Sequence, residues 1–148
     1  MRRFLYDTAV FVYALGREHP YREPCRAILR LAERGVLAGE ASVDLLQELA
    51  HQRFRQTADR AGAVAAARDA GALCRLHELR ATDVHRGMEL FVARPELSAR
   101  DAVFAALALN RGIDAILTSD RGFDRVPGLE RVDPADEAAV AALAGQRT

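Results

Sequence analysis

Residues 97–120, LSARDAVFAALALNRGIDAILTSD, contain a complete predicted helix followed directly by a predicted strand. Ser98 is a residue type that favours the start of a helix, and Gly112 is a type that favours the end of one. The nearly continuous apolar run between them predicts a buried helix. The next segment is apolar up to Leu117 and ends at Asp120, which predicts a buried strand with an acid at its carboxyl end. This order favours an α/β fold.

The rest of the chain continues this alternation of helices and short apolar strands. Strands are predicted for RRFLYD, Val36–Ala38, LHEL and LERVD. Helices are predicted for TAVFVYALG, from Pro20 to Arg34, after an N-cap at Ser42, over Thr57–Cys74, from Thr82 or Asp83 to Arg94, and over Ala135–Leu143. Such an order predicts a parallel sheet covered by helices on both faces. No repeat or linker divides the sequence, so we expect one domain over residues 1–148.

The composition narrows the class of protein. Apolar residues make up 50% of the chain, which excludes a disordered or collagen-like protein. The formal net charge is zero, and every basic residue is an arginine. Arginine suits phosphate contacts, although a GC-rich genome explains the bias more simply. Cys25 and Cys74 lack metal-binding spacing and are expected to be thiols in a reducing cytoplasm. No segment has the apolar length that crosses a bilayer, so we expect a cytoplasmic protein.

Two acids follow predicted strands. Asp7 ends the first strand, and Asp120 ends the strand AILTS. Ligand sites in parallel α/β sheets form beyond the carboxyl ends of the strands, near the point where the strand order reverses. If the two strands are neighbours, both carboxylates project from the same edge. Each acid could instead cap the helix or turn that follows it, which is a common role for aspartate.

Two further acids lie on predicted helices. Glu48 interrupts an otherwise apolar helical face, with Asp44 as a rival one turn earlier. Asp101 stands three residues after Ser98, which is a capping-box spacing, so it could simply stabilise the start of a helix. His51 lies almost one turn beyond Glu48 and is expected to be a solvated residue outside the site.

A cluster of these acids would require a positive charge. Neighbouring carboxylates raise one another's pKa and destabilise the fold unless a cation compensates them. All-oxygen ligands favour Mg²⁺ or Mn²⁺, and no histidine or cysteine pairs occur at zinc-ligand spacing. Such an ion lowers the pKa of water and neutralises charge on a phosphodiester in the transition state.

Four segments resemble the conserved blocks of PIN-domain ribonucleases, and of VapC-type toxins in particular. They are FLYDTAVFVYAL (4–15), SVDLLQEL (42–49), LSARDAVFAALALNRG (97–112) and AILTSDRGFDRV (115–126). The blocks occur in the order typical of the family, and the likeness extends from Phe4 to about Val132. The resemblance implies a PIN-like α/β/α sandwich with a central parallel sheet and a bound Mg²⁺ or Mn²⁺.

The resemblance also assigns roles to residues. It places the catalytic acids at Asp7, Glu48, Asp101 and Asp120, with Asp7, Asp101 and Asp120 as metal ligands. Thr8, Thr118 and Ser119 match hydroxyl positions that support the acidic site in similar proteins, and Asp124 adds an acid nearby. Ala9 departs from the family, where Ser or Asn is frequent. Ala9 also argues against a phosphatase of the haloacid-dehalogenase type, which requires an aspartate there.

Similar proteins are toxins that cleave RNA, often tRNA or rRNA. The resemblance therefore implies an RNA substrate, a small VapB-like antitoxin and a homodimer. Arginines near the acids could hold RNA phosphates or merely be solvated: Arg53, Arg55, Arg100 and Arg121. Leu31, Leu46 and Phe54 could line an antitoxin groove or belong to the core. A housekeeping RNA-processing nuclease and a non-catalytic binding module are the alternatives.

Overall fold

A five-stranded parallel sheet forms the centre of the structure, a computed structural model that describes residues 2–145. The strand order is β3-β2-β1-β4-β5, and every neighbouring pair is parallel. The strands are β1 (Leu5–Tyr6), β2 (Glu40–Ser42), β3 (Arg75–His77), β4 (Ala115–Leu117) and β5 (Glu130–Val132). The predicted parallel α/β architecture is confirmed.

Helices connect the strands in the manner that a parallel sheet requires. They are α1 (Thr8–Leu15), α2 (Arg22–Glu33), α3 (Asp44–Thr57), α4 (Arg60–Ala72), α5 (Ala81–Ala93), α6 (Ala99–Asn110) and α7 (Glu137–Leu143). A short 3-10 helix, Arg121–Arg125, lies between β4 and β5. No helix in the described part of the chain combines the length and apolar character needed to cross a membrane.

The sheet has a separate apolar core on each face, which makes the α/β/α sandwich. Side chains alternate along a strand, so neighbouring residues enter opposite cores. Tyr6 and Leu117 join the core beneath α1 to α4 and α7. Leu5 and Ile116 join the core beneath α6, with α5 packed outside it. The inner strands β1, β2 and β4 are buried on both faces, which explains the continuous apolar runs at β1 and β4 in the sequence, whereas the edge strands β3 and β5 carry exposed residues.

The packing of α5 against α6 depends on a glycine. A Cβ atom added to Gly87 would lie 2.7 Å from the Cα of Val103, closer than two such carbon atoms can approach. Glycine therefore allows the two helix backbones to come together. Because α6 carries Asp101 in its first turn, this close contact helps to fix the position of an acid that the sequence selects.

The neighbouring strands β1 and β4 bring residues 4–15 and 115–126 together. Leu5 pairs with Ile116 and Tyr6 with Leu117, so Asp7 and Thr118 follow adjacent strands at the same edge. From β1 the chain proceeds to β2 and β3 on one side, and β4 leads to β5 on the other. The edge between β1 and β4 is thus the topological switch point, where ligand sites form in open α/β sheets.

Several predicted boundaries were wrong. The second strand is Glu40–Ser42, not Val36–Ala38. Its first residue is a buried glutamate, which disguises the strand in an apolarity pattern. Glu40 is tolerated because Arg3 donates to both of its carboxylate oxygens, at 2.7 and 2.8 Å, and His77 Nε2 lies 2.7 Å from Oε1.

Helix starts also differ from prediction. Ser42 ends β2, and Val43 is the N-cap of α3, although the Ser42 hydroxyl still accepts from the Asp44 N–H at 3.3 Å. Pro20 precedes α2, which begins at Arg22, and α7 begins at Glu137. The remaining predicted helices are present with bounds shifted by a few residues.

Single-domain organisation over residues 1–148 stays a prediction, since Met1 and residues 146–148 lie outside the described residues. Cys25 is buried and Cys74 half-buried, and both thiols are unpaired within residues 2–145.

Candidate active site

Asp7 and Thr118 meet at the switch point. The Asp7 N–H donates to the carbonyl of Leu117 at 3.1 Å, which aligns the ends of β1 and β4. Thr118 Oγ1 then donates to Asp7 Oδ2 at 2.6 Å. Asp7 occupies the N-cap position of α1 but forms no side-chain capping hydrogen bond. Its carboxylate is therefore held by Thr118 at the sheet edge, and the nearby Ala9 N–H in the first turn of α1 also lowers its pKa.

The electrostatics at Asp7 disfavour an isolated negative charge. Burial raises the pKa of Asp7, and the charges of Glu48 and Asp120 raise it further. The hydrogen bond from Thr118 opposes these effects because it stabilises the charged form. A half-buried carboxylate with two acidic neighbours is a site where a cation would be stabilising.

Asp101 lies in the first turn of α6 and faces the same cluster. Its N–H donates to the Ser98 hydroxyl at 3.1 Å, so the predicted N-cap at Ser98 is confirmed. Burial, and then the charges of Asp7 and Asp120, raise the pKa of Asp101 to about 6. Asp101 therefore lies at a helix start, as the capping interpretation requires, and also shares the electrostatic field of the other two acids.

Asp120 performs a capping role. Its Oδ1 accepts from the Gly122 N–H at 2.9 Å at the start of the 3-10 helix, and its own N–H donates to Thr118 Oγ1 at 3.1 Å. The alternative that this acid caps the following turn is thus observed. Its charge nevertheless raises the pKa of both Asp7 and Asp101, so Asp120 also belongs to the acidic cluster.

Glu48 is held by two side chains. Thr8 Oγ1 donates to Glu48 Oε2 at 2.9 Å, and Arg100 forms a short ion pair with Oε1. The negative charge of Glu48 raises the pKa of Asp7, whereas Asp44 is not among the groups that shift this pKa. Asp44 and the exposed His51 line an adjoining cleft of about 290 Å³ together with Glu48 and Arg100. The structure therefore places Glu48, rather than Asp44, against the acidic cluster.

The predicted supporting residues divide into two groups. Thr8 and Thr118 each hydrogen bond to a candidate acid. Ser119 makes no side-chain hydrogen bond within residues 2–145, and Asp124 pairs with Arg131 at 2.8 Å. These two residues lie near the site in the chain but do not contact the acids directly.

The sequence interpretation missed Arg131 and Asp133. Arg131 pairs with Asp133 at 3.2 Å and donates to the backbone carbonyl of Thr118 at 3.4 Å. Tyr21 donates its hydroxyl hydrogen to Asp133 at 2.9 Å. Asp133 directly follows β5, so the strand-end argument that selects Asp7 could have selected it too. Nothing in the local sequence marks Arg131, because its partners come from separate segments.

The predicted RNA-binding arginines occupy different settings. Arg53 donates to the carbonyl of Leu15 at 2.8 Å, which satisfies the end of α1. Arg100 pairs with Glu48, although 59% of its side chain is exposed. Arg121 is exposed at the start of the 3-10 helix, beside Asp120. Arg100 and Arg121 thus border the acidic cluster, whereas Arg53 is engaged in the fold.

The donor atoms of the cluster suit a hard divalent cation. Asp7, Asp101 and Asp120 present only carboxylate oxygens, the ligand type that Mg²⁺ and Mn²⁺ prefer. Among residues 2–145, no group of three or more acidic, histidine or cysteine side chains is arranged so that it could hold a metal ion as the side chains stand. Mg²⁺ usually retains several waters and binds one or two carboxylates directly, so a closed protein cage is not required.

Comparison with known proteins agrees with this geometry. Residues 4–129 match the model of the PIN domain. The chain is 36% identical over 144 residues to a protein named Ribonuclease VapC7 from Mycobacterium tuberculosis, and the match covers 95% of this chain and 97% of the relative.

Two solved structures share the fold. One is VapBC2 from Rickettsia felis bound to a DNA fragment from their promoter, with a TM-score of 0.66 and 15% identity over 88% of this chain and 98% of that one. The other is VapC20 from Mycobacterium tuberculosis, described as a sarcin-ricin loop cleaving toxin, with a TM-score of 0.61 and 23% identity over 77% of this chain and 86% of that one.

Proposed function

The chain belongs to the PIN-domain family, in its VapC-type branch, and we propose from this that it is a Mg²⁺- or Mn²⁺-dependent endoribonuclease that acts as the toxin of a toxin–antitoxin pair. The observation that carries the proposal is the acidic cluster at the switch point. The charge of Asp120 raises the pKa of both Asp7 and Asp101 there, and the charge of Asp7 also raises that of Asp101. No side-chain cation neutralises all three acids within the described residues. A protein keeps such a destabilising arrangement where function requires it.

In this proposal Asp7, Asp101 and Asp120 hold the metal ion. A bound ion supplies Lewis acidity, which activates water and offsets phosphate charge. Thr118 orients Asp7 and favours its ionised form through its hydroxyl hydrogen bond. Glu48, oriented by Thr8, lies beside Asp7 and is suited to hold or accept a proton from the attacking water. Hydrolysis adds that water across one P–O bond of the RNA.

RNA is proposed as the substrate because of the family and because of the charges around the cluster. Arg100 directly precedes Asp101 in the chain, and Arg121 directly follows Asp120. Both arginine side chains are exposed. They are suited to bind phosphates, which position the strand without reading its sequence. Arg53 contributes less in this proposal, since one of its nitrogens already satisfies the end of α1.

A VapB-like antitoxin is the proposed partner. Solved structures that share this fold include VapBC assemblies from Rickettsia felis and Salmonella typhimurium. On this chain, an open groove of about 660 Å³ runs between α2 and α7, and Leu31 is among its lining residues. Leu46 and Phe54, the other candidates, are half-buried on α3. A homodimer in the cytoplasm, where RNA and antitoxin are available, completes the proposal.

Cleavage of a defined RNA tests the nuclease. Purified protein should cut single-stranded RNA with Mg²⁺ or Mn²⁺, EDTA should stop the cleavage, and Asp7→Asn should abolish it. A protein that binds metal and RNA but cuts none would be a binding module. Toxicity that a neighbouring small antitoxin gene relieves would separate a toxin from a housekeeping nuclease.

A further inference from the structure

Three aromatic rings stack together where α1 meets α2. Tyr13 lies on α1, and His19 and Tyr21 lie in the connection that leads to α2. The ring centroids are 4.5 Å apart for Tyr13 and His19, 5.5 Å for Tyr13 and Tyr21, and 6.1 Å for His19 and Tyr21. Their planes differ by only 24° to 27°. We call these three residues the aromatic cluster.

The aromatic cluster is joined to the edge of the sheet that carries the acids. The Tyr21 hydroxyl donates to Asp133 at 2.9 Å, and Asp133 directly follows β5. Arg131 contacts both Asp133 and the carbonyl of Thr118, and Thr118 contacts Asp7. Asp7, Thr118 and Asp133 are thus the residues that follow three adjacent parallel strands.

Helix α1 also connects the acidic cluster to the aromatic cluster over a short distance. Thr8, the first residue of α1, contacts Glu48, and Tyr13 lies five residues further along the same helix. Five residues correspond to about 8 Å of helix. A nucleotide next to one bound at the acids would therefore reach the aromatic cluster.

The rings remain accessible to a ligand. His19 is exposed, and Tyr13 and Tyr21 are half-buried. The three centroids form a triangle, so the rings overlap only in part. Such partial, near-parallel stacking is the arrangement that a flat aromatic ligand can extend.

His19 also offers a directed hydrogen bond. Its Nδ1 accepts from the Tyr21 N–H at 3.1 Å. In the neutral ring this hydrogen bond assigns the proton to Nε2, which is left as a donor. A flat aromatic ligand that carries acceptor atoms at its edge matches both the ring faces and this donor, and nucleobases have these two properties.

We propose that Tyr13, His19 and Tyr21 form a stacking subsite for an unpaired base of the RNA, next to the phosphate that is cut. The proposal rests on the proposed function for the nature of the ligand. Stacking on aromatic side chains tolerates every base, because each has a π face. The subsite would therefore favour single-stranded RNA over duplex without selecting one base.

The test measures binding separately from cleavage. The Asp7→Asn variant with Mg²⁺ would be titrated with a fluorescent single-stranded RNA of about ten nucleotides, and then with RNAs of the same length that lack one base at successive positions. His19→Ala is introduced into this background. His85→Ala is the matched control, because His85 is an exposed histidine on α5, beyond the opposite face of the sheet.

We expect His19→Ala to raise the Kd for the complete RNA about tenfold, within the range of one lost base-stacking contact. For the parent, the RNA that lacks a base at one particular position should have a similarly raised Kd. On that RNA, His19→Ala should cause no further rise in Kd. His85→Ala should leave the Kd unchanged. A second variant, Tyr13→Leu, should behave like His19→Ala if its melting temperature stays close to that of the parent.

Two results would overturn the proposal. One is a Kd that His19→Ala leaves unchanged. The other is that His19→Ala raises the Kd by the same factor for the complete RNA and for every abasic RNA. That result would show that the ring affects folding or charge and not stacking. Neither result concerns cleavage by the wild-type protein, so failure of the subsite and failure of the nuclease are distinguishable.

Discussion

Thr118 donates its hydroxyl hydrogen to Asp7 Oδ2 at 2.6 Å, and it thereby connects residues that are 111 positions apart in the chain. The contact crosses the switch point between β1 and β4. The same hydroxyl oxygen accepts from the Asp120 N–H at 3.1 Å, so one buried threonine orients two of the acids. This arrangement gives a structural role to the hydroxyl that stands two residues before the aspartate in the segment AILTSD.

Thr118→Val should therefore reduce cleavage while the protein stays folded. Valine has nearly the same shape, but it cannot donate to Asp7 or accept from Asp120. The hydrogen bond from Thr118 lowers the pKa of Asp7, so its loss raises that pKa. The rise of activity with pH should move to higher pH, and activity near neutrality should fall about 10- to 100-fold. A pH–rate profile checks this, with Ser119→Ala as the neighbouring control that should resemble wild type.

Asp101→Asn should stabilise the metal-free protein and remove its response to metal. Burial and the neighbouring acids raise the pKa of Asp101 from its usual value to about 6. A raised carboxyl pKa means that the folded protein loses stability as pH increases through about 4 to 6. Asparagine removes this charge, so the melting temperature in EDTA at pH 7.5 should rise by a few degrees.

Metal binding should raise the melting temperature of the wild type above that of Asp101→Asn. Mn²⁺ at millimolar concentration should raise the melting temperature of the wild type, since a ligand that binds only the folded state stabilises it. Asp101→Asn should show little or no such increase. An equal increase for both proteins would place the ion elsewhere.

The sequence predicted which acids lie near one another better than it predicted the strand bounds, while the roles of these acids stay a prediction. Asp7 and Asp120 were found because the carboxyl ends of parallel strands meet at one edge, a rule that needs only the strand ends. The second strand was misplaced because Glu40 is buried yet charged, and only the distant Arg3 and His77 make that possible. The sequence also showed no sign of Arg131, because its contact with Thr118 joins separate segments of the chain. Contacts between distant segments leave no periodic signal, whereas apolar runs and caps do.

Asp83 illustrates a buried charge that belongs to the fold and not to the site. Its side chain is fully buried on α5, and Arg111 donates to both carboxylate oxygens, at 2.7 and 2.8 Å. Burial alone would raise the pKa of Asp83, but hydrogen bonds from Arg111, Asn110 and the Arg80 amide lower it to about 2. The ion pair joins α5 to the end of α6.

Asp83→Ala should cost about 3–5 kcal/mol of unfolding free energy, because it leaves Arg111 without its buried partner. Since the folded-state pKa is depressed, the stabilisation by Asp83 is complete above about pH 4 and is lost as pH falls towards 2. Urea unfolding of wild type and variant at pH 7 and pH 3 measures both effects. A difference in stability that stays constant over this range would contradict the ion-pair explanation.

Arg100→Ala should affect RNA cleavage more than stability. The pair between Arg100 and Glu48 is partly exposed, so its contribution to stability should be below about 1 kcal/mol. Loss of the cation should weaken RNA binding and reduce kcat/KM about tenfold, while Arg100→Lys should recover part of the loss. Steady-state cleavage kinetics and melting temperatures, measured together, check the prediction. A change in stability alone would assign Arg100 a purely structural role.

The central claim is that the acids at the switch point bind a metal that cuts RNA. The most direct measurement is cleavage of a defined single-stranded RNA by wild type and Asp7→Asn, with Mg²⁺, with Mn²⁺ and with EDTA. We predict cleavage by the wild type with either metal, none with EDTA, and at least a hundredfold loss in Asp7→Asn. Cleavage by Asp7→Asn at the wild-type rate, or wild-type cleavage that persists in EDTA, would contradict the claim.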